Sequence, residues 1–347
     1  MGALNGRPAR DVLTAWDAQW YLGIAGGGYD NVPAGLVDAH GMRGPNTALA
    51  FFPGYPAAIR AVATLPGVSL VAAAFTVSMI AGIAGSYGLV RIGERIRGGS
   101  RWIGLILVAL FAAAPMAIVE SMAYSETLFC ALAAWSLAAL LKRDWVAAGV
   151  CCALAGLVRP TAAALILAVC LAALVAIVNR RDGWRPWVGG LLAPLGLAGY
   201  LGWVAIRTGS LTGYFQLQQA GWDSHFDGGA GTWKFSVEVL NNSRDPMLLL
   251  SLGTIIAFLI MLALGYLRRV EWPLMIYGLA VLVLDLGSYG LMNSKARLLL
   301  PAFTLLIPVA VGLAGRKRST AIAVLVGVTL FSAWFGGYSL TVWPYAI

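Results

Sequence analysis

The segment AWDAQWYLGIAGGGYD (residues 15–30) sets one carboxylate, Asp17, among Trp16, Trp20 and Tyr21. At helical spacing Asp17, Trp20 and Tyr21 share a face. A carboxylate held against aromatic rings loses part of its hydration, which makes it a better base. A positioned general base contributes typically ~10²–10⁴ in rate. The rings suit stacking on a sugar, and they equally suit anchoring an interfacial helix on which Asp17 is only a cap or a solvated charge. The glycines at 23 and 26–28 loosely resemble a phosphate loop. No strand precedes them and no Lys-Ser or Lys-Thr follows, so a flexible turn is the better account. A second aromatic run, AFFPGYP (50–56), carries Tyr55.

Further along, Glu120 and Glu126 flank a Tyr124-Ser125 pair at the edge of an apolar stretch. Carboxylates there are unfavourable unless used or paired. Arg159 lies in LVRPT, and Lys295 and Arg297 lie in NSKARLLLP. These three are the candidates to hold an anionic headgroup, because Arg clamps phosphate with two parallel donors. The alternative for each is a side chain that merely snorkels to the interface. The segment YFQLQQAGWDSHFDGG (214–229) gathers Gln216, Gln218, Gln219, Trp222, Asp223 and His225, a polar and aromatic set suited to carbohydrate. Asp223, His225 and Asp227 alternate as ligands might, but near glycines this is weak, and His40 is far away in sequence; no metal site is expected. Asn241-Asn242-Ser243 matches a glycosylation sequon, which is common by chance. Asp285 falls inside an apolar run, where a charge costs a few kcal/mol; it is expected to pair internally, to be protonated, or to sit near the outer cavity.

The elements that must position these residues follow from composition. The chain has 347 residues, 60% hydrophobic and 11% charged, against roughly 25% charged in soluble domains. Such a chain is an all-α polytopic membrane protein. Ten apolar runs read as spans: 68–90, 102–119, 126–141, 145–158, 161–179, 186–207, 246–267, 273–290, 299–314 and 320–338, the third and fourth short enough for a hairpin that dips part-way. The four cysteines all lie inside such runs and read as small buried residues, not as disulfides. The net charge of +9 punctuates the runs instead of forming a patch, which argues for topology and an anionic membrane surface, not for nucleic acid. One set of short loops carries 14 basic residues against the acids Glu94, Asp144, Asp182 and Glu271, while the opposite set is balanced. The first set is therefore expected on the cytoplasmic side, and 1–67 and 208–245 outside. The first 20 residues lack the apolar stretch of a signal peptide, so a span preceding residue 1 is expected to be missing from the sequence. The organisation expected is a first external segment, 1–67, bearing amphipathic helices and Asp17, followed by a bundle, 68–347, with an external loop at 208–245.

Taken in order, WDAQWYLGIAGGGYD, AFFPGYP, YSETLF, VRPT, YFQLQQAGW and ARLLLPAF resemble the PIG-V-like mannosyltransferases, polytopic enzymes of the GT-C superfamily. The likeness covers most of the chain. The first two motifs are fairly specific; the later ones gain weight as a series. The resemblance implies a GT-C-type bundle with first-loop helices on the membrane. It implies transfer of a hexose, usually mannose, from a polyprenyl-phosphate carrier to an acceptor hydroxyl on the extracytoplasmic face, with inversion. It assigns Asp17 the role of the essential acid and Arg159, Lys295 and Arg297 the donor phosphate. Trp20, Tyr21, Tyr55, Tyr124, Glu126, Gln219 and Trp222 are the candidates to contact sugar or acceptor. No cofactor is implied beyond the lipid-linked donor itself. The acceptor is a glycolipid, a polysaccharide or a protein.

Two other readings compete. A transporter or lipid flippase would favour ionisable residues within several spans, or inverted repeats with broken helices. Here Asp285 is the one deep charge and the polar residues gather on one side. A non-catalytic assembly partner is the third reading, and the missing span favours it.

Overall fold

A computed structural model describes residues 8–290, 292–343 and 345. The first seven residues of the 1–67 segment and the last few of the chain lie outside the described residues. The chain is helical almost throughout. The helices are α1 (Ala9–Leu13), α2 (Asp17–Gly27), α3 (Gly54–Ala63), α4 (Leu70–Arg95), α5 (Arg101–Ala112), α6 (Glu126–Leu141), α7 (Trp145–Gly156), α8 (Ala162–Val178), α9 (Arg185–Leu192) and α10 (Leu195–Thr208). After these come α11 (Gly213–Trp222), α12 (Ala230–Asn242), α13 (Pro246–Leu267), α14 (Trp272–Leu286), α15 (Lys295–Leu298), α16 (Ile307–Ala314) and α17 (Arg318–Thr341). A two-residue antiparallel pairing of β1 (His225–Phe226) with β2 (Ser288–Tyr289) ties the long loop to the end of α14.

Every apolar run expected as a span is helical, but the runs differ in reach. Four segments are long and apolar enough to cross a bilayer: 70–95, 185–208, 246–267 and 318–341. A fifth forms if the bent pair Met292–Leu298 and Leu300–Ala314, angled by 55°, counts as one span. The remaining apolar helices have 10–17 residues. At 1.5 Å per residue a 12-residue helix such as α5 spans roughly 18 Å, short of a hydrocarbon core of about 30 Å. The sequence shows why these stop early. Pro115 follows α5, and the chain continues as a short 3₁₀ turn at 117–121 instead of carrying the helix to 119. Gly287 and the β-pairing end α14 before 290. Exposed apolar rows such as Met79, Ile80 and Ile83 on α4, or Ile256, Leu259 and Ile260 on α13, suit lipid and not water. The chain is a multi-pass membrane protein.

Two large core clusters divide the bundle, beside a smaller third around Phe52, Tyr200 and Tyr214. One fills the space between α4–α8 and α13–α16 with small and branched side chains. The other joins the first segment to the bundle: Trp20, Tyr21 and Ile24 of α2 pack with Tyr55 and Ile59 of α3, Ala73 and Val77 of α4, residues 114–124, and Ala296 and Leu300. Burying aromatic side chains this way contributes roughly 1.5–3 kcal/mol each, so the first segment is held by packing as much as by chain connectivity. Gly54 shows how tight the join is. Its N–H donates to the Leu157 carbonyl at 2.7 Å, and a Cβ there would lie 2.8 Å from the same oxygen. That contact fixes α3 against the turn that carries Arg159.

Candidate active site

α6 starts at Glu126 and α7 returns to end at Gly156, so Glu126 and Arg159 lie at the same end of the bundle. α2 starts at Asp17, just after Trp16, whose φ of 54° puts a bulky residue in the left-handed region. Such a conformation costs about 1–3 kcal/mol and persists only where packing enforces it. Here the second core cluster holds the Trp16 ring. As the first residue of α2, Asp17 also lies at the positive end of the helix dipole.

These elements bring four charges together. Arg297 Nη1 donates to Asp17 Oδ2 at 2.8 Å. Arg159 Nη1 lies 2.8 Å from Glu126 Oε1, and Arg297 Nε lies 3.5 Å from the same oxygen. Glu126 thus sits between two guanidinium groups, and Arg297 sits between two carboxylates. The Glu126 side chain is 1% exposed, Arg297 8% and Arg159 11%, whereas Asp17 is 27% exposed. Asp17 is therefore the member of the row nearest to solvent. Burial of four charges is tolerable because they alternate in sign. The pairing is incomplete, since Nε of Arg159 and of Arg297 and Oε2 of Glu126 are buried without a hydrogen-bond partner among the described residues. Buried donors left unmet cost about 1–3 kcal/mol each.

The neighbours orient this row. Ser125 Oγ bonds Tyr21 Oη at 2.8 Å and accepts from Arg159 Nη1 at 3.0 Å. Burial pushes the Tyr21 hydroxyl well above its ordinary value, so it stays protonated. The Arg297 guanidinium lies 5.2 Å from the Tyr124 ring centroid, a cation–π contact. Trp20 stacks on Phe51 at 5.2 Å, and Trp222 meets both rings edge-on at 6.4 and 5.5 Å. These aromatics form one wall beside Asp17.

Other candidates fall elsewhere. Lys295 does not join the row: it is buried, and its Nζ donates to the carbonyls of Asp285 and Ser288 at 2.6 and 2.8 Å. Residues two apart on a helix point to opposite sides, so the turn that turns Arg297 toward Asp17 turns Lys295 toward Asp285. Tyr55 is fully buried, and its hydroxyl bonds Ser78 Oγ and the Ala74 carbonyl. Gln219 is exposed, while the adjacent Gln218 reaches the Ala50 carbonyl and Tyr214 Oη. Asp227 caps α12 by accepting from the Gly229 and Gly231 N–H groups, and the His225 ring lies tilted against Tyr289 at 5.2 Å. Among the described residues no group of three or more His, Cys, Asp or Glu side chains gathers as a metal would need. Ser125 and Phe51 are not among the candidate site residues; their signal in the sequence is that each lies inside a quoted motif, YSETLF and AFFPGYP.

The overall shape has a counterpart among solved structures. ArnT from Cupriavidus metallidurans bound to undecaprenyl phosphate superposes with a TM-score of 0.57 over 92% of this chain, at 17% identity. ArnT in the apo state matches equally, over 96%. The chain has an ArnT-like fold. That agrees with the GT-C-type bundle expected from the sequence. The chain spans about 60% of ArnT's length, 59% and 61% in the two matches. No family model and no curated protein matches the sequence, so the PIG-V-like resemblance rests on the motifs themselves.

Proposed function

We propose that this chain is a lipid-linked-sugar glycosyltransferase, moving a hexose from a polyprenyl-phosphate carrier to an acceptor hydroxyl on the extracytoplasmic face. The observation that carries the reading is the row Asp17–Arg297–Glu126–Arg159, a base at the solvent edge backed by two buried cations with unmet N–H groups. ArnT, whose fold it shares, is a protein crystallised with undecaprenyl phosphate. The motif series points to mannose as the hexose.

In this scheme the acceptor O–H gives its proton to an Asp17 carboxylate oxygen as the acceptor oxygen attacks the anomeric carbon. The bond from that carbon to the phosphate oxygen breaks on the opposite face, so configuration inverts. The polyprenyl phosphate leaves with the electron pair and gains one negative charge. Arg297 and Arg159 stabilise that growing charge, and fixed donors in a dry site are the largest single source of catalysis in such reactions. A lipid phosphate is already a fair leaving group, so no general acid is required. Arg297 holds Asp17 at 2.8 Å, and a donor phosphate competes for the same guanidinium edge. Donor binding then loosens Asp17 and frees it to act as base. Glu126, set between the two arginines, keeps both charged forks in place when Asp17 lets go. Of the three packed rings Trp20, Phe51 and Trp222, the part-exposed Trp222 is the one open to a sugar ring.

The test is Asp17→Asn assayed in membranes with polyprenyl-phosphate-mannose. Turnover is expected to fall at least ~10³-fold, within the range a lost base and its electrostatic role can account for, with unchanged membrane insertion and undiminished donor binding. Turnover like that of the parent chain removes Asp17 from the mechanism.

A further inference from the structure

The end of the bundle opposite Asp17 carries a basic concavity. The turn between α6 and α7 and the start of α9 border a half-open concavity of about 300 Å³, lined by Lys142, Arg143, Asp144, Trp145, Val146 and Arg185. The 16 residues of α6 separate it from Glu126, roughly 24 Å at 1.5 Å per residue. Its two walls are fixed by a close helix crossing. A Cβ on Gly149 of α7 would lie 2.6 Å from the Gly189 carbonyl oxygen, and one on Gly189 of α9 would lie 2.5 Å from that of Trp145. The walls are therefore locked together by backbone contact.

The charges lining the cavity are unbalanced. Asp144 is engaged with the Ala147 N–H at 3.4 Å as the cap of α7. Asp182 accepts from the Trp145 indole N–H at 2.9 Å and faces Arg143 at 3.8 Å. Lys142 and Arg185 have no side-chain partner among the described residues. Two free cations, with Arg143 half-committed beside them, converge on an open concavity.

The surroundings decide what kind of anion fits. Val146, at the cavity's rim, begins an exposed row with Val150 and Leu154, spaced by four along α7. Trp184 and Trp187 stand exposed at the start of α9, as aromatic residues do at the boundary between headgroups and hydrocarbon. A free anion has no use for an apolar row leading away from its cations; a lipid does.

We infer that this cavity binds an anionic phospholipid. Its phosphodiester lies between Lys142 and Arg185, and an acyl chain follows Val146, Val150 and Leu154. Arg185 offers a planar pair of donors and Lys142 a point charge, the complementary means of holding phosphate. The site is separate from the row at Asp17 and does not rest on the transferase reading.

The purified full chain in neutral detergent provides the test, with thermal unfolding followed during titration with phosphatidylglycerol, phosphatidylcholine of the same chains, or inorganic phosphate. Phosphatidylglycerol is expected to raise the midpoint while the other two leave it unchanged. The double substitution Lys142→Gln with Arg185→Gln is expected to weaken the phosphatidylglycerol effect by roughly tenfold or more in apparent affinity. Arg244→Gln, an exposed arginine at the other end, is expected to leave it intact. An equal response to phosphatidylcholine, or the same shift with inorganic phosphate alone, overturns the assignment. So does a double variant that still responds as the parent does. Should that variant not fold, Lys142→Gln alone, with lipid retention read by native mass spectrometry, decides the same question.

Discussion

The two ends of this bundle use arginine in opposite ways. At the Asp17 end, Arg159 and Arg297 are largely buried and alternate with carboxylates. At the other end, Lys142, Arg143 and Arg185 are exposed and outnumber the acids around them. The buried pair gains strength from the low dielectric and cannot be broken cheaply. The exposed set is solvated, screened and individually weak. Position in the sequence hints at this difference: excess basic charge gathers in the short turns on one side, as orientation demands, while Arg159 and Arg297 lie where orientation does not ask for them. A cation that topology does not explain is the one to suspect of chemistry.

The widest expected gap between the ends comes from Glu126→Gln. Removing the charge between two buried guanidinium groups leaves Arg159 and Arg297 facing one another with only Asp17 to balance them. Breaking one partner of a buried ion network costs about 3–5 kcal/mol, and turnover should fall by two orders of magnitude or more through misplacement of both cations. The matching lesion at the other end, Asp182→Asn, breaks a 3.8 Å exposed pair and is expected to cost about 1 kcal/mol or less for that pair. Thermal midpoints of the two variants measured side by side check the contrast, and equal shifts would mean that the Asp17 end is no more dependent on its pairing than a surface turn.

A narrower effect separates charge from shape. Arg297→Lys keeps the positive charge but loses the planar fork that spans Asp17 and Glu126. Donor KM is expected to rise about tenfold, equivalent to ~1.4 kcal/mol, with the acceptor KM little changed. Donor and acceptor KM moving together would place Arg297 in the scaffold and not on the phosphate.

How much of this was legible beforehand depends on what each residue needed. The apolar runs needed only composition, and all of them are helical. Their lengths needed the breakers: Pro115 and Gly287 end helices that hydrophobicity alone would have continued. Asp17, Glu126, Arg159 and Arg297 could each be named from an unusual charge at the edge of an apolar run, but not their pairing, since Arg297 reaches Asp17 across 280 residues of chain. Glu126 was expected to contact sugar and instead lies between two arginines. Lys295 and Arg297 are alike as candidates for the donor phosphate, yet they lie two residues apart, about half a helical turn, and point in opposite directions. Tyr55 is among the residues expected to contact sugar or acceptor; its place as a buried strut to Ser78 depends on α3 docking against α4, which no local pattern encodes.

The smallest effect concerns Glu120, the other carboxylate at the Asp17 end. Unlike Glu126 it has no arginine in contact, and its Oε1 is buried without a hydrogen-bond partner, beside a small crevice lined by Gly82, Gly85, Thr127 and Cys130. Burial pushes its carboxyl up from an ordinary 4.5 to about 8, so the fold keeps it neutral at pH 7. A folded-state value above the unfolded one means that its contribution is fully present below pH 4.5 and is lost as the pH rises through about 8. Glu120→Gln, which holds the neutral shape at every pH, is therefore expected to match the parent chain's stability in acid and to exceed it increasingly between pH 5 and 9. Thermal midpoints across that range give the answer. A gap that is constant with pH, or that favours the parent above pH 8, would show that Glu120 is ionised in the fold and belongs with Glu126 among the charges that arginine holds.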